Sequence, residues 1–215
     1  MPTETRTETK DRLTFDAKAH KYAINGRPVP SVTEIIAENG LYDPRHYPED
    51  ARRRGTFVHQ ASVLLDEKDL HWPSVPEEWA GYLRSWEAFK ARMGVLIIET
   101  ERRVFDPLYG VAGTLDRVMT FGTGTAIWVI DLKTVGDGKG AAPFWTRYQT
   151  AAYEAMYRRE TGALMLRRGA LVLRADGSLP RLTEYDDDGD WSAFLALCEA
   201  TKIRRRHHRE RANDD

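Results

Sequence analysis

Apolar and polar positions divide the chain into short strands and amphipathic helices. Two stretches rich in strand formers, residues 111–121 and 126–132, flank Gly122-Thr123-Gly124-Thr125, a turn signal that predicts an antiparallel hairpin. Residues 95–105 predict a further strand, turned into this hairpin at 107–110, with Glu99, Glu101 and Arg103 on one face. A smaller hairpin is predicted over 13–29, with Asn25-Gly26 as its turn, and two more strands over 164–173 and 180–185. Helical spacing marks 49–67, with Phe57, Val58, Ala61, Leu64 and Leu65 as its apolar face. It also marks 76–92, where Trp79, Tyr82, Leu83, Trp86 and Phe89 read as a core stripe. A short helix ending at Asn39-Gly40 has Ser31 or Thr33 as its cap, and residues 144–161 and 191–203 complete the set. No internal repeat or linker interrupts this order.

The central hairpin carries the candidate chemistry, with one carboxylate on each strand. A turn centred between Thr123 and Gly124 sets Asp116 directly opposite Asp131, with Cβ atoms about 5 Å apart. The period of two returns Lys133 to the face of Asp131. Two carboxylates and an ammonium at the end of a sheet suit a hard cation and a phosphate. Mg²⁺ prefers oxygen ligands and keeps waters and phosphate oxygens among them. The lysine can orient an attacking water or neutralise phosphate charge. A cross-strand ion pair with a spare aspartate is the plainer reading of the same residues.

Other polar positions carry similar alternatives. His59, in a helix beside Arg52-Arg53-Arg54-Gly55, is a ligand or an ordinary helix histidine, and the arginines a phosphate contact or a solvated face. Gln149 and Tyr153 lie four apart on one helical face, where they reach a phosphodiester backbone or bond across the core. Glu101 is a third acid near the cation or an edge charge. The Gly- and Lys-rich segment 135–142 reads as a mobile loop beside the site. The run Arg204-Arg205-Arg206-His207-His208-Arg209 suits a helix C-terminus, a phosphate contact or a solvated tail.

Composition narrows the classes. The 215 residues are enough for one domain with a sizeable core, and 32 Lys and Arg against 33 Asp and Glu leave no global field to attract nucleic acid. Binding of that kind has to use local patches. Cys198 is the single cysteine, which excludes internal disulfides, a multi-cysteine zinc site and a cysteine-ligated iron–sulfur cluster. No apolar run approaches a membrane span and no signal peptide is visible, so the expected compartment is the cytoplasm.

In chain order, Arg54-Gly55-Thr56-Phe57-Val58-His59, Gly113-Thr114-Leu115-Asp116, Asp131-Leu132-Lys133 and Gln149-Thr150-Ala151-Ala152-Tyr153 resemble four motifs of the PD-(D/E)XK nuclease superfamily in its RecB-like exonuclease branch. The segment from His20-Lys21-Tyr22 to Pro30-Ser31-Val32-Thr33 is similar to the amino-terminal part of phage-type members and of the mitochondrial genome maintenance exonuclease. The resemblance covers residues 13–160. It implies an α/β restriction-endonuclease-like core, a mixed β-sheet flanked by α-helices. The expected nuclease domain spans 13–203, between a disordered tail at 1–12 and a charged Arg-rich tail at 204–215.

By resemblance, His59, Asp116, Asp131 and the Leu132 backbone carbonyl hold Mg²⁺ or Mn²⁺, with Glu101 as a further acidic residue and Glu99 competing for that place. Lys133 positions the nucleophilic water. Gln149, Tyr153, Arg54, Ser31 and Thr33 are the implied DNA contacts, with Gln149 and Tyr153 alternatively bracing the site. Several relatives carry four cysteines around an iron–sulfur cluster, which this chain lacks, moving it towards compact phage exonucleases. The implied activity is metal-dependent hydrolysis of DNA from its ends, in phage or bacterial replication, recombination or repair. The implied partners are DNA and either further copies of the chain or a replication or recombination protein. The rivals are an endonuclease of the same fold and a catalytically silent binding module.

Overall fold

The computed structural model describes residues 11–136 and 140–214. The disorder expected over 1–12 therefore lies outside it up to residue 10, and the mobile loop expected over 135–142 lies outside it at 137–139. Asp11 and Arg12 are tied down: the Asn25 amide donates to the Asp11 carboxylate at 2.6 Å, and the Arg12 N–H donates to Asn25 Oδ1 at 2.9 Å.

The amino-terminal segment forms a meander of three short strands, β1 (Leu13–Asp16), β2 (Lys21–Ile24) and β3 (Arg27–Val29), where a two-stranded hairpin was expected. Asn25 and Gly26 both have left-handed φ, +51° and +75°, which suits the tight turn between β2 and β3. Helix α1 (Val32–Glu38) follows at once. Ser31 is its cap: the hydroxyl accepts from the Glu34 N–H at 3.0 Å and the Glu34 carboxylate accepts from the Ser31 N–H at 2.8 Å.

Two long helices, α2 (Glu49–Asp66) and α3 (Glu77–Met93), precede the main sheet. Its strands are β4 (Leu96–Asp106), β5 (Val111–Thr120), β6 (Ile127–Thr134), β7 (Leu166–Leu173) and β8 (Arg181–Tyr185), in that spatial order. Every neighbouring pair is antiparallel except β6 and β7, which are parallel and joined through α4 (Thr146–Thr161). The last helix is α5 (Gly189–Asp214). This is the expected mixed α/β architecture.

Each face of the sheet has its own apolar core. Val104, Val118 and Val129 meet Ile35 of α1, Met156 of α4 and Phe194 of α5 on one side. Met119, Ile130 and Leu171 meet Val58 of α2 and Leu83 and Trp86 of α3 on the other. Burial of such side chains contributes roughly 1.5–3 kcal/mol each and fixes the layers. A Cβ at Gly81 would lie 1.6 Å from the Ala175 carbonyl oxygen, so α3 reaches the turn after β7 only because that residue is glycine. The small sheet docks where the Ala112 N–H donates to the Pro30 carbonyl at 3.2 Å and the Tyr22 and Thr114 hydroxyls lie 2.8 Å apart.

The helix expected to stop at residue 203 continues through the arginine run to Asp214. Arg204 donates to the Glu38 carbonyl and the Asn39 side chain, and Arg205 Nε donates to the Glu38 carboxylate at 3.0 Å. Arg204 and Arg205 thus find partners at the end of α1, while Arg206 to Arg209 stay solvent-exposed on the helix. No helix among the described residues is long and apolar enough to cross a membrane.

Candidate active site

The β5–β6 ladder pairs Arg117 with Ile130, Val118 with Val129 and Met119 with Trp128, the register read from the turn. It stops one pair short of Asp116 and Asp131. There the Asp116 carboxylate takes over from a ladder carbonyl: its Oδ2 accepts the Leu132 N–H at 2.6 Å. On its other edge β6 stays paired with β7 as far as Thr134, so Asp131 and Lys133 sit on fixed backbone.

Two further elements converge on Asp116. His59, on α2, brings Nδ1 to 3.5 Å from Asp116 Oδ1. Glu101, on β4, completes a group in which one ligand atom from each of the three residues lies within 4.8 Å of the others. The strand period alone does not bring it there. The β4–β5 register shifts between Ile97 and Glu99, and Glu101 has φ +48°, a region non-glycine residues rarely occupy and which recurs at functional sites. The shared face expected for Glu99, Glu101 and Arg103 is thereby broken. Glu99 accepts from Arg102 at 2.9 Å and from the Tyr157 hydroxyl at 3.1 Å, while the Arg103 guanidinium covers the Phe15 ring at 4.7 Å.

Burial and like charge dominate the electrostatics. Burial raises the Asp131 carboxyl to about 6, with Lys133 opposing and Asp116 adding to the rise. Burial likewise raises Glu101 to about 7, reinforced by Asp116 and opposed by His59 and Arg117. For Asp116 burial also acts upwards, but His59, Lys133 and the Leu132 N–H outweigh it and hold the carboxyl below its ordinary value. Burial pulls the His59 imidazole down, yet Asp116 and Asp131 overcome this and lift it to about 8. Such opposed shifts within one cluster are characteristic of sites built for chemistry.

Lys133 sits among three groups. Its Nζ lies 2.7 Å from Asp131 Oδ2, donates to Gln149 Oε1 at 3.2 Å, and stands 4.7 Å from the centre of the Trp145 ring. Gln149 Nε2 in turn donates to the Tyr153 hydroxyl at 3.4 Å. Both residues are buried, at 5% and 4% exposure, so in this structure they brace Lys133. Gly113 belongs to the same chain of contacts, since a Cβ there would lie 2.6 Å from Tyr153 Cε1. Ser31 is buried and engaged as the α1 cap, with its hydroxyl 3.2 Å from that of Thr33. Arg54 packs over the Tyr82 ring at 5.6 Å and donates to the Thr134 carbonyl at 3.3 Å, while its buried Nε has no hydrogen-bond partner among the described residues.

Sequence reasoning missed Arg117, Ser62 and Asp66. Arg117 is fully buried and donates to Asp66 Oδ2 at 2.8 Å, to the Asp116 carbonyl at 2.8 Å and to the Ser62 hydroxyl at 2.7 Å. Asp66 also accepts from Trp86 at 2.8 Å and from Lys90 at 2.6 Å. His59, Ser62 and Asp66 follow helical spacing, so one face of α2 grips both Asp116 and its neighbour. The available signal was a second charge, next to Asp116 and followed by Val118 and Met119, in a strand with no other charged residue.

No protein-family model matches the chain, and no curated protein does. Among solved structures, a proposed exonuclease from Eubacterium rectale is similar at 16% identity over 80% of this chain and 71% of that one, with a TM-score of 0.48. An alkaline exonuclease from Laribacter hongkongensis is similar at 15% identity over 83% of this chain and 93% of that one, with a TM-score of 0.39.

The donor set fits a divalent cation. One imidazole and two carboxylates converge, and Asp131, expected as a ligand, stands outside that group, its buried Oδ2 in ion contact with Lys133 at 2.7 Å but without a partner in hydrogen-bond geometry. Carboxylate oxygens suit hard ions of the Mg²⁺ and Mn²⁺ kind, and Mn²⁺ accepts imidazole readily. His59 and Lys133 open onto a cleft of about 630 Å³ whose walls include Arg52, Arg54, Tyr42 and Tyr47.

Proposed function

We propose that the protein is a divalent-cation-dependent deoxyribonuclease that hydrolyses phosphodiester bonds from DNA ends, a RecB-like member of the PD-(D/E)XK superfamily. The convergence of His59, Glu101 and Asp116 beside the Asp131–Lys133 pair carries this reading. Those residues, with Asp131 and the Leu132 carbonyl, would hold Mg²⁺ or Mn²⁺, which supplies a lowered water pKa and charge neutralisation at the scissile phosphate. Lys133 orients the nucleophile. An ammonium has three donors, and bracing by Asp131 and Gln149 leaves capacity for a water or a phosphate oxygen. Gln149 and Tyr153 keep the ammonium aimed, and Arg54, lining the cleft, suits a phosphate of the bound strand. DNA is the partner, and replication, recombination or repair in a phage or bacterium is the setting proposed from the motif resemblance.

The test is cleavage of 5′-labelled, 3′-labelled and circular DNA with Mg²⁺, Mn²⁺ or EDTA, with Lys133→Met as control. Loss of linear DNA that needs the cation, spares circles and disappears in the variant is expected. Cut circles would replace the exonuclease with an endonuclease of the same fold. DNA binding without cleavage of any substrate would reduce the protein to a silent binding module.

A further inference from the structure

The cleft beside Lys133 has an aromatic wall that the hydrolytic groups do not explain. Trp145, 7% exposed, belongs to the core and presents its ring to the Lys133 ammonium. Tyr42 packs against it with ring centres 4.8 Å apart and an interplanar angle of 45°. Tyr47 follows at 5.5 Å and 54°. Exposure rises along the series: Trp145 is buried, Tyr42 is half-buried against the core, and Tyr47 is 38% exposed. A packed aromatic cluster closes on itself, whereas this one begins at the ammonium and ends on an open ring inside the cleft. Arg52 and Arg54 line the same cleft. Cations for phosphates and rings for bases, along one groove, are how proteins hold single strands without reading their sequence.

We infer that Tyr47, backed by Tyr42 and Trp145, forms a stacking shelf for an unpaired base of the DNA strand that enters the site, so that the preferred substrate is a single-stranded or frayed end. This inference rests on the nuclease reading and narrows it. A base inside a duplex has both faces covered by its neighbours, and exposing one means breaking its stack. A ring at the edge of the cleft therefore has a partner only where a strand is already unpaired. Tyr47 is the residue that sets this preference, because it is the outermost ring. It is also the most exposed of the three rings, so its replacement removes the least packing.

Direct binding in EDTA separates the shelf from the chemistry. A fluorescent single strand, the same strand with abasic sites, and a blunt duplex are titrated against the wild type, Tyr47→Ala and Tyr47→Phe, with fluorescence anisotropy as readout. The intact strand is expected to bind roughly tenfold more tightly than the abasic one, an advantage lost in Tyr47→Ala and kept in Tyr47→Phe. A 2-aminopurine in the strand is expected to be quenched on binding to the wild type and to stay bright with Tyr47→Ala. Equal binding of intact and abasic strands, or unchanged binding by Tyr47→Ala, overturns the shelf, while cation-dependent cleavage on the same preparation leaves the nuclease reading standing. Absence of both strand binding and cleavage overturns the two together.

Discussion

Neutralising Asp131 should make the cation-free protein more stable. The carboxyl is almost wholly buried, at 2% residue exposure, and titrates at about 6 against an ordinary 3.8. Because the folded value is raised, its ionisation weighs against folding: the cost starts near pH 4, grows to about pH 6 and is constant above that. A rise of that size corresponds to about 3 kcal/mol. Asp131→Asn removes that cost and keeps the shape of the side chain. In EDTA at pH 8 the variant should gain about 1–3 kcal/mol, a rise of a few degrees in Tm for a chain of this length, and at pH 4 the gain should vanish. The same variant should lose activity and most of the stabilisation that Mg²⁺ or Mn²⁺ gives the wild type. Calorimetry or urea melts across this pH range decide it. A variant less stable than the wild type at pH 8, or a gain of equal size at pH 4, refutes the claim that the buried charge is held against its own preference.

Three other perturbations follow from the same contacts. His59 titrates at about 8, above its ordinary 6.5, so its pairing with Asp116 stabilises the cation-free protein fully below pH 6.5 and fades as pH rises through 8. A cation must displace that proton, so the Tm increment from saturating Mn²⁺ should be larger at pH 8 than at pH 6; an equal increment contradicts ligation by His59. Gly113→Ala would push a methyl group into Tyr153, and should lower stability in urea by about 1–3 kcal/mol and slow cleavage through the Gln149–Lys133 contact; an unchanged melt and rate would contradict that close approach. Arg117→Met leaves Asp66 short of a cation and the Asp116 carbonyl short of a donor, and should cost about 3–5 kcal/mol; a loss under about 1 kcal/mol would show that the buried network carries little.

The central hairpin was legible because a glycine-rich turn and two strand-forming stretches leave few registers, and the observed pairs obey that one. The helices were legible from spacing, since each packs a recognisable apolar face on the sheet. The choice between Glu99 and Glu101 was not, because it depends on a register shift and a left-handed residue inside β4, and period-two reasoning assumes neither. His59 carries no signal of its own in a helix and entered through its place in a motif. Burial of Gln149 and Tyr153 favours the bracing reading over a direct strand contact, a distinction that helical spacing cannot draw. Arg117 escaped notice because charge in a strand normally marks an exposed face, whereas here Asp66 and Ser62 on the opposing helix receive it. The contacts of Arg204 and Arg205 were not legible because their partners, Asn39 and Glu38, lie far away in the chain.

Asp116 has an unusual division of labour between its two oxygens, one closing the sheet through the Leu132 N–H and the other facing His59. Lys133 has no comparable duty to the backbone. In a lineage released from selection for cleavage, the two residues would therefore decay on different clocks. The lysine, whose partners are the Asp131 and Gln149 side chains and could change with it, would drift first, while replacements of the aspartate would be filtered by folding long after catalysis had ceased to matter. An asparagine, whose amide oxygen can still accept the N–H, would be the first tolerated step. A homologue with the aspartate or asparagine but no lysine would then mark a retired enzyme, and the aspartate alone would be a poor sign of a working one.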